Sequence, residues 1–211
     1  MEFSTVTVAP RPHDLLQLCS VDSTPPDAPG WVRRALLATP WVVVRRAEST
    51  AGRIAVGVRG NRRADRYAMT VGADNVVNTV SPEDLARCEV TAGHRVPALR
   101  TLDEVRVALD RTGLMWGPTG SVGFELATGV STATDASDLD LLMRLPHVGP
   151  DVLAQLTHLH RLFMEQPAHI DCQIETVWGA AALAELIADQ PEILMRTGTG
   201  PRLVSRAVTV P

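Results

Sequence analysis

The run Ser137-Asp138-Leu139-Asp140-Leu141-Leu142 limits what this chain can fold into more than any other stretch. Residues i and i+2 of a strand point to one side, so Asp138 and Asp140 project together while Leu139 and Leu141 are buried behind them. Two carboxylates so placed repel each other unless a positive charge sits between them. A hard divalent cation, Mg2+ or Mn2+, meets that need, because it takes oxygen ligands and leaves room for phosphates. Sixteen residues before the run, Gly120-Ser121 makes a small-residue turn at the start of a helix. The free N–H groups there suit a phosphate. Together the acid pair and the turn predict a nucleotidyl-transfer site, with Asp138 and Asp140 on metal and Gly120 and Ser121 on phosphate. Apolar flanks set the pair apart from two chance acids in a solvated loop.

Composition excludes several other chemistries. All 20 basic residues are Arg, so the turn Gly117 to Ser121 lacks the Lys of a Walker-type loop, and Schiff-base catalysis is excluded. No apolar run approaches the roughly 18 residues needed to span a bilayer, so no membrane association is expected. The first twelve residues lack the basic start and apolar core of a secretory signal. Cys19, Cys88 and Cys172 are scattered, giving neither a disulfide framework nor a zinc spacing, and a reducing cytoplasm is the expected location. A net charge of −4 with one Tyr and three Phe argues against a nucleic-acid partner, which calls for a basic face with stacking aromatics. Charge is unevenly placed, however. Arg45, Arg46, Arg53, Arg59, Arg62, Arg63 and Arg66 stand against only Glu48 and Asp65. That block suits either an anionic partner or a solvated surface.

Along the chain the pattern is α+β. Residues 1–30 read as loop, with Trp41–Val44, Ile54–Val58 and Tyr67–Val71 as strands and Ser81-Pro82-Glu83-Asp84 as a helix start. This predicts a small strand-rich N-terminal domain over 1–95, with a linker at Thr91 to Pro97. From there the order is a helix (101–111, with a Thr101–Glu104 capping box), a short strand, the Gly-Ser helix, the Asp138–Asp140 strand, a helix from Pro150 to Met164, and an alternating strand from Ala168 to Val177. Such an order builds a mixed sheet flanked by helices over 96–211. It brings Asp171 onto a strand beside Asp138 and Asp140, as a third metal ligand or a base, with Glu175 as a rim charge. Ala180–Ala188 reads as a helix, followed by extended segments. There Arg196 and Arg202, beside Gly198, Gly200 and Pro201, would clamp phosphates in two-point fashion. His169 lies next to the acidic strand, while Trp116 and Cys172 read as core.

Gly-Ser, Asp-Leu-Asp and a later strand Asp resemble the polymerase-β-type nucleotidyltransferase superfamily, although the gap between the first two is longer than in its general pattern. One branch accommodates that gap. Trp116-Gly-Pro-Thr-Gly-Ser-Val-Gly-Phe-Glu-Leu-Ala-Thr-Gly129, Ser137-Asp-Leu-Asp-Leu-Leu142, Asp171-Cys-Gln-Ile-Glu-Thr176 and Leu194-Met-Arg-Thr-Gly-Thr-Gly-Pro-Arg-Leu-Val204 resemble the malonate decarboxylase holo-acyl-carrier-protein synthases, or phosphoribosyl-dephospho-CoA transferases. His13 to Leu16 and Trp41 to Arg46 carry a weaker likeness to their N-terminal domain. The resemblance implies 2′-(5″-triphosphoribosyl)-3′-dephospho-CoA as donor and a serine on the apo acyl-carrier subunit of malonate decarboxylase as acceptor. Pyrophosphate would leave.

Two other functions fit the same residues. One is a nucleotidyltransferase with an NTP donor and a small-molecule acceptor. The other is a degenerate fold serving as a binding subunit, against which the intact Asp138, Asp140 and Asp171 argue. A carrier-protein enzyme also needs a docking surface, and the Arg block over 45–66 is the candidate for it.

Overall fold

The computed structural model describes residues 9–60, 62, 64–88 and 96–209. The fold is α+β, with two sheets in two compact units, one running through Ser81 and the other from Pro82. The division falls after Ser81 rather than near residue 95, because the turn of helix at Pro82–Leu85 packs on elements of the second unit. Most of the expected linker, residues 91–95, lies outside the described residues, as does Arg63. Among the described residues no helix is long and apolar enough to cross a membrane.

The first unit comprises β1 (Leu15–Leu18), α1 (Gly30–Ala38), β2 (Trp41–Val44), β3 (Arg53–Arg59), β4 (Arg66–Gly72) and β5 (Val76–Val80). Its sheet runs β4-β3-β2-β1-β5, antiparallel throughout. The three expected strands are present. Residues 1–30, expected to be loop, instead supply β1 and the start of α1. Four residues of Leu15–Leu18 show no clear alternation, and pairing on both sides is what makes them a strand. Val32 and Leu36 of α1 join Leu16, Val42, Val56 and Val58 in one apolar core.

The other face of this sheet carries charge. Arg53, Ala55, Gly57 and Arg59 alternate away from Val56 and Val58, and they stand opposite Gly72, Thr70, Ala68 and Arg66. Arg45 donates its N–H to the Ala55 carbonyl (2.9 Å), and its side chain lies over Gly57. Arg45, Arg53, Arg59 and Arg66 therefore share one face, with Arg53 also bonding Thr70.

The second unit comprises α2 (Pro82–Leu85), α3 (Pro97–Arg111), β6 (Met115–Pro118), α4 (Gly120–Thr128), β7 (Leu139–Arg144), α5 (Pro150–Met164), β8 (Ile170–Thr176), β9 (Gly179–Ala182), α6 (Leu183–Ile187), β10 (Glu192–Thr197), β11 (Gly200–Ser205) and α7 (Arg206–Thr209). The sheet order is β11-β10-β9-β8-β7-β6, with β7 and β8 parallel and the other pairs antiparallel. Leu139, Leu141 and Met143 of β7 and Cys172 and Ile174 of β8 form one apolar face. They pack with Leu102, Val105 and Leu109 of α3 and Leu156, Leu159 and Phe163 of α5.

Three local expectations are corrected. Helix α3 starts at Pro97, not at a Thr101 cap. Thr101 is buried inside it and accepts the Ala168 N–H at 3.3 Å. The Ala-rich stretch from 180 begins as strand β9, because pairing with β8 and β10 overrides the helical preference of alanine. Arg206–Thr209 forms α7 rather than staying extended.

Candidate active site

The acid strand and its neighbour place their carboxylates side by side. Asp140 of β7 stands directly opposite Asp171 of β8, and both alternate away from the apolar core face. Residues opposite each other on paired strands point to the same side of the sheet. Asp138 immediately precedes β7 and is more than a third exposed. Its Oδ1 lies 3.9 Å from Nδ1 of the exposed His169, whose carbonyl accepts the Leu139 N–H at 2.9 Å. Among the described residues no group of three or more His, Cys, Asp or Glu converges closely enough to hold a metal ion by itself. The donor set present is a pair of adjacent carboxylates with a third alongside in sequence. That suits a magnesium-like ion, which binds through one or two carboxylates and fills its shell with substrate phosphate and water.

The Gly-Ser turn is fastened to this strand. Thr119 donates its N–H to the Asp140 carbonyl at 2.8 Å. Gly120 has φ +60, a left-handed conformation that only glycine adopts cheaply. A Cβ at Gly120 would collide with the Asp140 carboxylate. That carboxylate is thus packed against the first residue of α4, where the helix macrodipole favours negative charge. Ser121 follows it and is buried.

The long gap between turn and acid pair is folded back onto α4. Glu125, only 6% exposed, accepts the N–H groups of Thr132 and Ala133 on Oε2, each at 2.9 Å. Thr132 Oγ1 donates to the Ser121 carbonyl at 2.9 Å, and Ser137 Oγ accepts the Thr134 N–H at 2.9 Å. Residues 132–137 therefore enter β7 from a fixed position. Nothing in the sequence reading singled out Glu125. Its signal was an acid in an otherwise apolar helix.

Glu175 is no rim charge. Arg144 is buried between two acids: its Nη1 donates to both oxygens of Glu83 (2.7 and 2.6 Å), and its Nε to Glu175 Oε2 at 3.1 Å. This triad ties α2 to β7 and β8. Below it, the Pro82 backbone lies so close to Gly117 that no Cβ fits there.

Arg196 and Arg202, expected to act together, fall on opposite faces of the sheet. Arg196 stands opposite Ala180, which stands opposite Glu175. It shares the face of Asp171, but lies level with Glu175, roughly 13 Å farther along the strand direction at about 3.3 Å per residue, and two strands across, roughly 10 Å at about 4.8 Å per strand. Arg202 stands opposite the buried core residue Met195 and so belongs to the other face; its Nη2 donates to Thr199 Oγ1. Trp116 is core, with Nε1 donating to Asp110 at 3.0 Å. Cys172 is core too, and burial pushes its thiol up, with the Asp171 charge adding to the effect.

Adjacent carboxylates on one sheet face and a glycine turn packed against one of them have the chemistry to hold a cation and a phosphate together. Two family profiles cover the chain: the phosphoribosyl-dephospho-CoA transferase MdcG N-terminal domain matches residues 11–82, and the C-terminal domain of the same family matches 84–207. A Pseudomonas putida phosphoribosyl-dephospho-CoA transferase is 43% identical over 197 residues, covering 93% of this chain and 94% of its own. The enzymes of that name from Pseudomonas aeruginosa and Azotobacter vinelandii are each 40% identical, covering 92% of this chain and 92% of theirs. No solved structure matches. The chain belongs to the phosphoribosyl-dephospho-CoA transferase family, and it is a transferase.

Proposed function

We propose that this enzyme transfers the phosphoribosyl-dephospho-CoA group of triphosphoribosyl-dephospho-CoA to a serine of the apo acyl-carrier subunit of malonate decarboxylase. The observation that carries this reading is the pairing of Asp140 with Asp171, with Gly120 packed against Asp140. The serine Oγ attacks the α-phosphorus and forms the phosphodiester. The bond from that phosphorus to the bridging oxygen of the β-phosphate breaks, and pyrophosphate leaves with the electron pair. Asp171, open on the sheet face, takes the serine proton or hands it to water.

Asp138 and Asp140 would hold a divalent cation, Mg2+ or Mn2+, with Asp171 beside them as a third ligand where it does not serve as the base. When bound, the ion neutralises charge on the phosphates and the leaving pyrophosphate. The first turn of α4, at Gly120 and Ser121, offers N–H groups to the terminal phosphates. Arg196 is far enough along the face to meet an outer part of the donor. The arginine face of the first unit, Arg45, Arg53, Arg59 and Arg66, receives an acidic carrier.

The test is the intact mass of apo carrier after incubation with donor, Mg2+ and enzyme. A gain equal to the phosphoribosyl-dephospho-CoA group is expected, lost with Asp140→Asn. No gain on the carrier, but transfer to a small alcohol from an NTP, would replace this reading with the small-molecule one.

A further inference from the structure

A pocket of about 440 Å³ opens where the end of α5, the start of β8 and the junction of β9 with α6 meet. That size lies within the range of small-molecule sites, about 300–1,000 Å³. Its walls are largely apolar, from Phe163, Met164, Ile170 and Leu183. Two residues belong both to the pocket and to the acid site. His169 lines the pocket and stands beside Asp138, while Asp171 lines it and stands opposite Asp140. The cavity therefore borders the acid pair through these two residues.

We infer that this pocket seats the adenine of a dephospho-CoA-type donor; the inference rests on the donor reading above. The residues lining it include no arginine, so it is built for an uncharged group. In the proposed donor, the ribose that bears the reacting phosphate is joined to the 2′ oxygen of adenosine. Adenine is thus the nearest uncharged, flat group to the phosphorus. The pantetheine arm lies farther off, beyond a diphosphate that an arginine-free wall would not hold. Phe163 and the polarisable Met164 suit a purine face, and His160 and Gln166 among the lining residues offer polar edges.

The experiment measures binding of dephospho-CoA, AMP and 4′-phosphopantetheine to the full-length enzyme by calorimetry. Two variants narrow the pocket from opposite walls, Ala184→Trp on α6 and Met164→Trp on α5, both at exposed positions. Dephospho-CoA is expected to bind the wild type, AMP to compete with it and 4′-phosphopantetheine not to. Each variant should weaken dephospho-CoA binding at least tenfold while its melting temperature holds. Equal dephospho-CoA affinity in wild type and both variants overturns the pocket and leaves the donor reading standing. Competition by 4′-phosphopantetheine but not AMP also overturns it, assigning the cavity to the arm. Failure of the wild type to bind dephospho-CoA overturns the donor reading and the pocket together.

Discussion

Asp140 and Asp171 stand opposite each other on adjacent parallel strands, and the Asp140 carboxylate rests against Gly120 at the start of α4. Like charges this close raise the free energy of the ligand-free site. Asp140→Asn should therefore cut transfer by about a hundredfold or more, as loss of a charge-stabilising group does, and leave the melting temperature unchanged or raised. Mass spectrometry of the carrier, beside a thermal melt, checks both. Turnover near wild type at saturating Mg2+ would remove Asp140 from the site.

Gly120 and Ser121 should respond very differently. Gly120→Ala must hold φ +60 and push the Asp140 carboxylate aside. A cost of about 1–2 kcal/mol for the backbone alone should come with weak donor binding. Ser121→Ala should weaken donor binding only mildly, because the backbone N–H groups remain. Chemical denaturation and donor titration separate the two effects.

Glu125→Ala removes the carboxylate that accepts the part-buried Thr132 N–H and the buried Ala133 N–H. A loss of about 1–3 kcal/mol for each unsatisfied group is expected. Glu125→Gln keeps an acceptor and should recover most of the activity. Hydrogen exchange at Thr132 and Ala133 should speed up in the Ala variant. Unchanged exchange there would disconnect Glu125 from the loop.

Arg144→Ala should be among the most damaging single changes outside the acid pair. It strands Glu83 and Glu175 together with little solvent around either. Breaking a buried pair this way costs about 3–5 kcal/mol. Arg144→Ala with Glu83→Gln and Glu175→Gln should recover much of that stability in urea unfolding.

The arginine face predicts a salt effect. Arg45→Glu with Arg66→Glu should lower kcat/KM for the carrier and flatten its dependence on ionic strength, since steering charges act over roughly 8 Å at physiological salt. Donor affinity should not move. If the donor weakens and carrier use does not, these arginines serve the donor instead.

Thiol chemistry follows burial. Burial pushes the Cys88 thiol up from its ordinary value of 9.0, with Arg106 pulling the other way, and Cys172 is raised further. Alkylation at pH 8 should mark the exposed Cys19 first and Cys172 only after unfolding. A raised thiol keeps its proton in the fold while the unfolded chain releases it, so Cys172 contributes stability below about pH 9 that is lost as pH rises above it.

The sequence by itself determined what depends on local spacing. The alternation around Asp138 and Asp140 marked a half-buried strand, Gly120-Ser121 marked the turn, Asp171 marked the next acid strand, and the quoted runs marked the family. What required the tertiary structure was everything decided by pairing and enclosure. Register alone set Asp140 opposite Asp171, and it sent Arg196 and Arg202 to opposite faces although six residues separate them in sequence. Strand β9 won over a helix at Gly179–Ala182 because two neighbouring strands needed its backbone groups. Arg144 and Glu175 look like any surface charges in one dimension, and Glu125 stands out there only as an acid in an apolar helix. Their roles come from being buried with partners 7 to 61 residues away, where a charge must be paired or hydrogen-bonded to remain.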